Sequence, residues 1–199
     1  MLTTPVVTAL RKAGHGRVSV ELDGSPWRVL PVEPVLAAGL STGVPLDRAR
    51  ARRLRAELRR AEARSTALSA LSRTDHTTAT LRDRLAARGV APADRETALE
   101  TVRRAGLVDD ARFARGRASA LAGRGAGDAL IRDDLERRGV AAELITEAIA
   151  GLEPELERAR RVVVAHGSAP RTLRRLAAKG FAEDVLDGLI ADQPGTELG

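Results

Sequence analysis

With no cysteine in its 199 residues, the chain must draw any site chemistry from histidine, carboxylates or glycine-rich loops. His15, His76 and His166 are its three histidines; they lie far apart, and none has the helical two-histidine spacing of a metal pair. The adjacent carboxylates Asp109 and Asp110 would suit a divalent cation only if they converged. At a helix start such neighbours diverge, and one of them is expected instead to cap the next helix by accepting its free backbone N–H groups. Gly123-Arg-Gly-Ala-Gly127 has the glycine content of a phosphate loop. It follows a helical stretch rather than a strand and lacks the Gly-Lys-Ser/Thr ending, so it is expected to be a connector. With no tyrosine, two phenylalanines and one tryptophan, single-strand binding by base stacking is not expected either. The residues therefore predict no catalysis, no cofactor and no metal site.

Charge points elsewhere. The net charge is +6, and its location matters more than its size: residues 1–64 carry 12 Arg/Lys against 6 Asp/Glu, while residues 65–152 carry 14 against 13 and residues 153–199 carry 7 against 8. A basic first third on a nearly neutral body fits an acidic partner such as nucleic acid, or a protein coated with it; a solvated helix face would look the same. No run approaches the length of a membrane span, and the first ten residues lack the basic-then-apolar order of a signal peptide, so the sequence reads as a cytoplasmic, membrane-free chain.

The elements that would position these residues begin with a β-hairpin over 17–30, where Val18, Val20 and Leu22 alternate with polar residues and Asp23-Gly24 supplies the turn. Trp27 is expected to hold that hairpin onto its neighbour. A helical turn from Pro34 to Ala38 stops at Gly39, with Leu40 folding back. From Pro45 a basic amphipathic helix is predicted over 46–64. Leu46, Leu54, Leu58 and Ala61 share one side of it, and Arg48, Arg52, Arg55 and Arg59, spaced four, three and four apart, share another as candidate contacts to DNA.

The rest of the chain repeats itself. Leu81-x3-Leu85-x3-Gly89-Val90 recurs as Ile131-x3-Leu135-x3-Gly139-Val140, and more loosely as Leu173-x2-Leu176-x3-Gly180-Phe181. Each copy predicts a helix with a buried stripe, closed by a left-handed glycine and an apolar residue folding back. A helix precedes each (65–73, 110–121, 155–165) and another follows (93–105, 142–151, 182–190), so the unit is three helices, used three times. Phe113 is expected on the buried side of its helix. No helix this short is stable alone in water; each must bury its stripe on its neighbours, which leaves function to the outer surface. The expected organisation is a hairpin and basic helix in 1–64, then helical repeats in 65–107, 108–152 and 153–199: an all-α array behind a small β element.

Helix, glycine turn, helix is also the outline of a DNA-reading helix-turn-helix, which makes an autonomous DNA-binding protein the alternative. Charge opposes it. The last helices of the second and third repeats carry Glu143, Glu147, Glu183, Asp184 and Asp187 and no basic residue, and would meet a groove lined with phosphates.

Three stretches resemble the RecX family: Ala67-Leu-Ser-Ala-Leu-Ser-Arg-Thr-Asp-His-Thr-Thr-Ala-Thr-Leu-Arg-Asp-Arg-Leu, then Gly106-Leu-Val-Asp-Asp-Ala-Arg-Phe-Ala, which is the most specific, and Ile131-Arg-Asp-Asp-Leu-Glu-Arg-Arg-Gly-Val. Arg174-Arg-Leu-Ala-Ala-Lys-Gly-Phe is similar to the family's terminal helices, and the likeness spans about residues 65–192. Leu107 stands where the family often has an aromatic residue, and the segment before Ile131 is less basic than usual. The resemblance implies a curved array of three-helix repeats that lodges in the groove of a RecA recombinase filament on DNA, bridges its subunits and limits filament growth, ATP hydrolysis and strand exchange; the chain itself is expected to be a monomer. The basic helix over 46–64 lies outside the best-matched region and would add a contact to the filament's DNA.

Overall fold

The computed structural model describes residues 4–191, so the final eight residues of the expected third repeat lie outside the described part. The expected hairpin is present as β2 (Arg17–Leu22) and β3 (Ser25–Pro31). Its turn has φ +50° at Asp23 and +79° at Gly24, the pair of positive values that matches the twist of two adjoining strands. A third strand, β1 (Val7–Lys12), pairs antiparallel with β2 on the other side, so the element is a three-stranded sheet in the order β1-β2-β3 rather than a hairpin alone. Its sequence hides it: the register shifts between Val7 and Ala9, which spoils the alternation that marks a strand. The hairpin turn is latched to it, since Val6 N–H donates to Asp23 Oδ1 at 2.8 Å and Asp23 N–H donates to Val6 O at 3.0 Å.

Val7, Val18, Val20 and Leu30 bury one sheet face against Val35 of α1 (Val32–Ala37), Leu40 and Leu54. Leu40 N–H closes onto Val35 O at 3.1 Å, past Gly39 at φ +71°, as the sequence predicts. Trp27 departs from expectation. It is not part of this core, stands 37% exposed, and has the Arg28 guanidinium 5.7 Å above its ring.

One helix, α2, runs from Arg48 to Leu71, joining the basic helix to the first helix of the first repeat without a break. No glycine or proline stands between Pro45 and Gly89 to interrupt it. Asp47 starts it by accepting from Arg50 N–H at 2.7 Å. Its buried side changes along its length. Leu54 and half-buried Leu58 sit against the sheet core, whereas Ala63, Ala67 and Ala70 are buried further along, on the stripe that Arg48, Arg52, Arg55 and Arg59 begin.

The remaining helices follow the predicted order: α3 (Thr78–Ala87), α4 (Pro92–Arg104), α5 (Asp110–Gly123), α6 (Asp128–Arg137), α7 (Ala142–Ala150), α8 (Glu155–His166), α9 (Pro170–Ala178) and α10 (Glu183–Ala191). The chain divides into two compact units: residues up to Ala70 together with Arg84–Arg104, and Leu71–Asp83 together with the chain from Ala105 onward. The three glycine stops are alike. Gly89, Gly139 and Gly180 have φ of +74°, +68° and +79°, and the N–H groups of Val90, Val140 and Phe181 donate to the carbonyls of Leu85, Leu135 and Leu176 at 3.1, 3.2 and 3.2 Å.

Leu81, Leu85, Ile131, Leu135 and Leu176 are buried as the stripe requires, with one correction. The position eight residues before Gly180, equivalent to Leu81 and Ile131, is Thr172, which is 4% exposed; Leu173 is only partly buried. Spacing, not hydrophobicity, decides which of the two faces inward. In the second repeat Ala114, Ala118, Ile131, Leu135, Val140 and Ile145 form the core, with Phe113 packed against it as expected; in the third it is Ala159, Leu176, Phe181 and Leu189.

Candidate partner-binding surfaces

The four arginines singled out on α2 share an exposed stripe but not a common fate. Arg48, Arg52 and Arg55 make no ion pair among the described residues, whereas Arg59 Nε donates to Asp94 Oδ2 at 3.2 Å, and that carboxylate is only 11% exposed. Arg59 thus neutralises a nearly buried anion at the start of α4, while the other three present uncompensated charge to solvent. Their neighbours Arg50, Arg60 and Arg64 are tied to Asp47, Glu57 and Glu33. The free positive charge of this helix is therefore concentrated toward its first half.

The carboxylate pair serves two helices. Asp109 caps its own α5, accepting from Arg112 N–H at 2.9 Å, and that bond holds its carboxyl below the usual carboxylate range. Asp110, the first residue of α5, turns away and accepts from Thr78 N–H, the first residue of α3, at 2.7 Å. The next repeat does the same: Glu155, the first residue of α8, accepts from Asp128 N–H, the first residue of α6, at 2.6 Å. In both places the first helix of one repeat caps the middle helix of the repeat before it.

The ends of the middle helices also meet. Thr77, fully buried, donates its hydroxyl to Arg138 O beyond α6 at 2.6 Å, and a Cβ on Gly139 would lie 2.4 Å from Ala79 Cβ. One joint along, Gly127 N–H donates to Lys179 O at 2.8 Å and Ala129 N–H to Gly180 O at 3.1 Å. The N-terminus of α3 therefore abuts the C-terminus of α6, and the N-terminus of α6 abuts the C-terminus of α9. At the second joint free backbone N–H groups meet free carbonyls, at the first a threonine hydroxyl does so, and in both the dipoles run head to tail. Arg158 locks the second joint from inside: at 5% exposure it donates to Ala126 O at 2.6 Å and Glu153 O at 3.0 Å, pairs with Asp128, and lies 5.8 Å from the Phe181 ring centre.

Beside the first joint is an open cleft of about 570 Å³, lined among others by His76, Leu107, Arg112, Phe113, Arg117 and Arg138. Asp134 organises its cations, taking both oxygens to Arg117 at 2.8 and 2.9 Å and one to Arg138 at 3.0 Å. Its carboxyl is held far below the usual range, first by the Arg117 hydrogen bond and then by Arg138. The sequence reading missed this triad; Asp134 and Arg138 at helical i,i+4 spacing were its only signal. His15, His76 and His166 occupy a turn, a loop and a helix end, and no cluster able to hold a metal occurs among the described residues.

Three-helix repeats whose middle helices meet end to end thus recur along the chain. Models of the first and second three-helix domains of RecX match residues 63–101 and 109–149. The regulatory protein RecX of Chromohalobacter salexigens is 37% identical over 127 residues, covering 59% of this chain and 84% of that one; the RecX of Thermobifida fusca is 30% identical over 146 residues, covering 67% and 79%. A crystal structure of regulatory protein RecX superposes with a TM-score of 0.81 at 21% identity, over 95% of this chain and all of that one. The RecX structure from Lactobacillus salivarius gives 0.59 at 16%, over 67% and 96%. The chain belongs to the RecX family, a family of regulatory proteins rather than a class of enzymes.

Proposed function

We propose that the protein works in the cytoplasm as a regulator that binds the RecA recombinase filament on DNA and restrains filament growth, ATP hydrolysis and strand exchange. Family membership carries this reading. The head-to-tail joints support it, since repeated units that meet in the same way suit a partner that is itself repetitive. The protein itself is proposed to catalyse nothing and to act as a monomer. Arg48, Arg52 and Arg55 are proposed to add a charge contact to the filament's DNA, with Arg59 contributing less because Asp94 already holds it.

Co-sedimentation with RecA assembled on single-stranded DNA, compared with RecA alone and with naked duplex, tests the reading, together with ATP hydrolysis and strand exchange by the filament. Binding to the filament with slowed hydrolysis and exchange is expected. Equal, salt-sensitive binding to naked duplex without any effect on the filament would replace it with the autonomous DNA-binding alternative. The acidic last helices argue against that alternative.

A further inference from the structure

The sheet has an outer face that the filament reading leaves unused. Val18, Val20 and Leu30 point into the core; Val29, 45% exposed, therefore stands on the opposite face of β3, and Trp27, 37% exposed, sits two residues before it at the bulge where the pairing with β2 shifts register. Across the strands Val29 pairs with Ser19 and Ser19 with Arg11, so one row of that face ends in a guanidinium. Arg17 donates to Val29 O at 2.8 Å beside it, and Arg28 lies 5.7 Å over the indole. Glu21 is the carboxylate of this face, and Arg11 already neutralises it at 2.9 Å. A partly exposed indole at the bulge, with the Arg28 guanidinium over it, thus adjoins in sequence a sheet face of valine and serine that carries Arg11 and Arg17.

We propose that this face is a binding site for single-stranded nucleic acid, in which one unpaired base stacks on Trp27 while Arg17 and Arg28 hold the adjoining phosphates. The chemistry selects that ligand. An aromatic face attracts any base that is free to unstack, and the surrounding positive charge favours a polyanion over an apolar peptide. A duplex keeps its bases stacked internally and offers the ring nothing but backbone. The expectation from composition that stacking is absent overlooks that one well-placed ring suffices for one base. The proposal concerns free nucleic acid and stands or falls apart from the filament reading.

Trp27 is the chain's only tryptophan, so its fluorescence reports on this face alone. The full chain is titrated with a thymine oligonucleotide, with a duplex of equal length and with heparin, following tryptophan emission and, separately, the anisotropy of a labelled oligonucleotide. The oligonucleotide is expected to quench emission to saturation, while duplex and heparin quench little. Trp27→Ala should weaken anisotropy-detected binding about 5- to 100-fold, as expected for one lost stacked base. Trp27→Phe should retain most of the affinity, and Arg28→Gln should lower its salt dependence. Circular dichroism accompanies each variant, and the quenching of the unaltered chain remains decisive if Trp27→Ala does not fold. Binding without quenching, equal quenching by heparin, or unchanged affinity in a folded Trp27→Ala variant would each overturn the proposal.

Discussion

Asp110 Oδ1 accepts the backbone N–H of Thr78 at 2.7 Å, across 32 residues, while its neighbour Asp109 caps the helix to which both belong. Two consecutive carboxylates thus start two different helices. Asp110→Ala should lower unfolding stability by about 0.5–2 kcal/mol, the usual cost of a lost cap. Glu155→Ala should act in the same range at the second joint. Urea denaturation of each variant checks this, and an unchanged midpoint for both would show that the joints do not depend on these caps.

The core of the second repeat offers a second measurement. Leu135 is fully buried, and Leu135→Ala should cost about 2–5 kcal/mol, through lost transfer energy and an incompletely collapsed cavity.

Two glycines of the same stretch should respond in opposite directions. Gly127 has an ordinary φ of −80°, but a Cβ there would lie 2.2 Å from Gly180 O; Gly116, inside α5, has nothing within 4 Å of its Cβ position. Gly127→Ala should therefore destabilise, by about 1–3 kcal/mol if the backbones separate to relieve the overlap. Gly116→Ala should stabilise by up to about 1 kcal/mol through helix propensity. Thermal melts of the two variants separate close approach from backbone entropy.

Asp134 gives a pH signature. Its carboxyl is lowered in the folded state, so its pairing with Arg117 and Arg138 stabilises the fold fully above the ordinary carboxylate range and is lost as pH falls below about 4. The stability difference between the unaltered protein and Asp134→Asn should be largest near neutrality and shrink steadily from about pH 4 downward. A difference that stays constant through that range would show that the pair is lost to solvent.

For the basic stripe, Arg48→Gln, Arg52→Gln and Arg55→Gln combined should leave the melting temperature unchanged. Filament affinity should fall, with the salt slope reduced by about one for each phosphate contact removed. Adding Arg59→Glu should also lower stability, because it sets a carboxylate against nearly buried Asp94. Unchanged affinity and slope in the triple variant would reduce this stripe to a solvated face.

How much of this was legible depended on whether the signal was local. The glycine stops at Gly89, Gly139 and Gly180 could be read because a buried stripe and a left-handed residue leave marks within ten residues. The helix order, the burial of Leu135 and the packing of half-buried Phe113 against the core followed from them. Strand β1 was not legible, since a bulge breaks its alternation, and neither was the inward turn of Thr172, a polar residue in an apolar position. The candidate arginines on α2 were correctly placed on one exposed stripe, yet the tie between Arg59 and Asp94 spans 35 residues and has no local signature. The joints escaped for the same reason: Asp110 looks like a cap for its own helix, and only the tertiary arrangement reveals which helix it serves.

The direction of those joints bears on how the chain is made. The N-terminus of α3 is completed by Asp110 and by the carbonyl of Arg138, and that of α6 by Glu155 and by the carbonyls of Lys179 and Gly180. In each case the completing group is synthesised after the helix it completes. A ribosome releasing this protein therefore exposes α3 and α6 with an open end until most of the following repeat has emerged. These two joints are finished in arrears, by groups synthesised after the helices they complete.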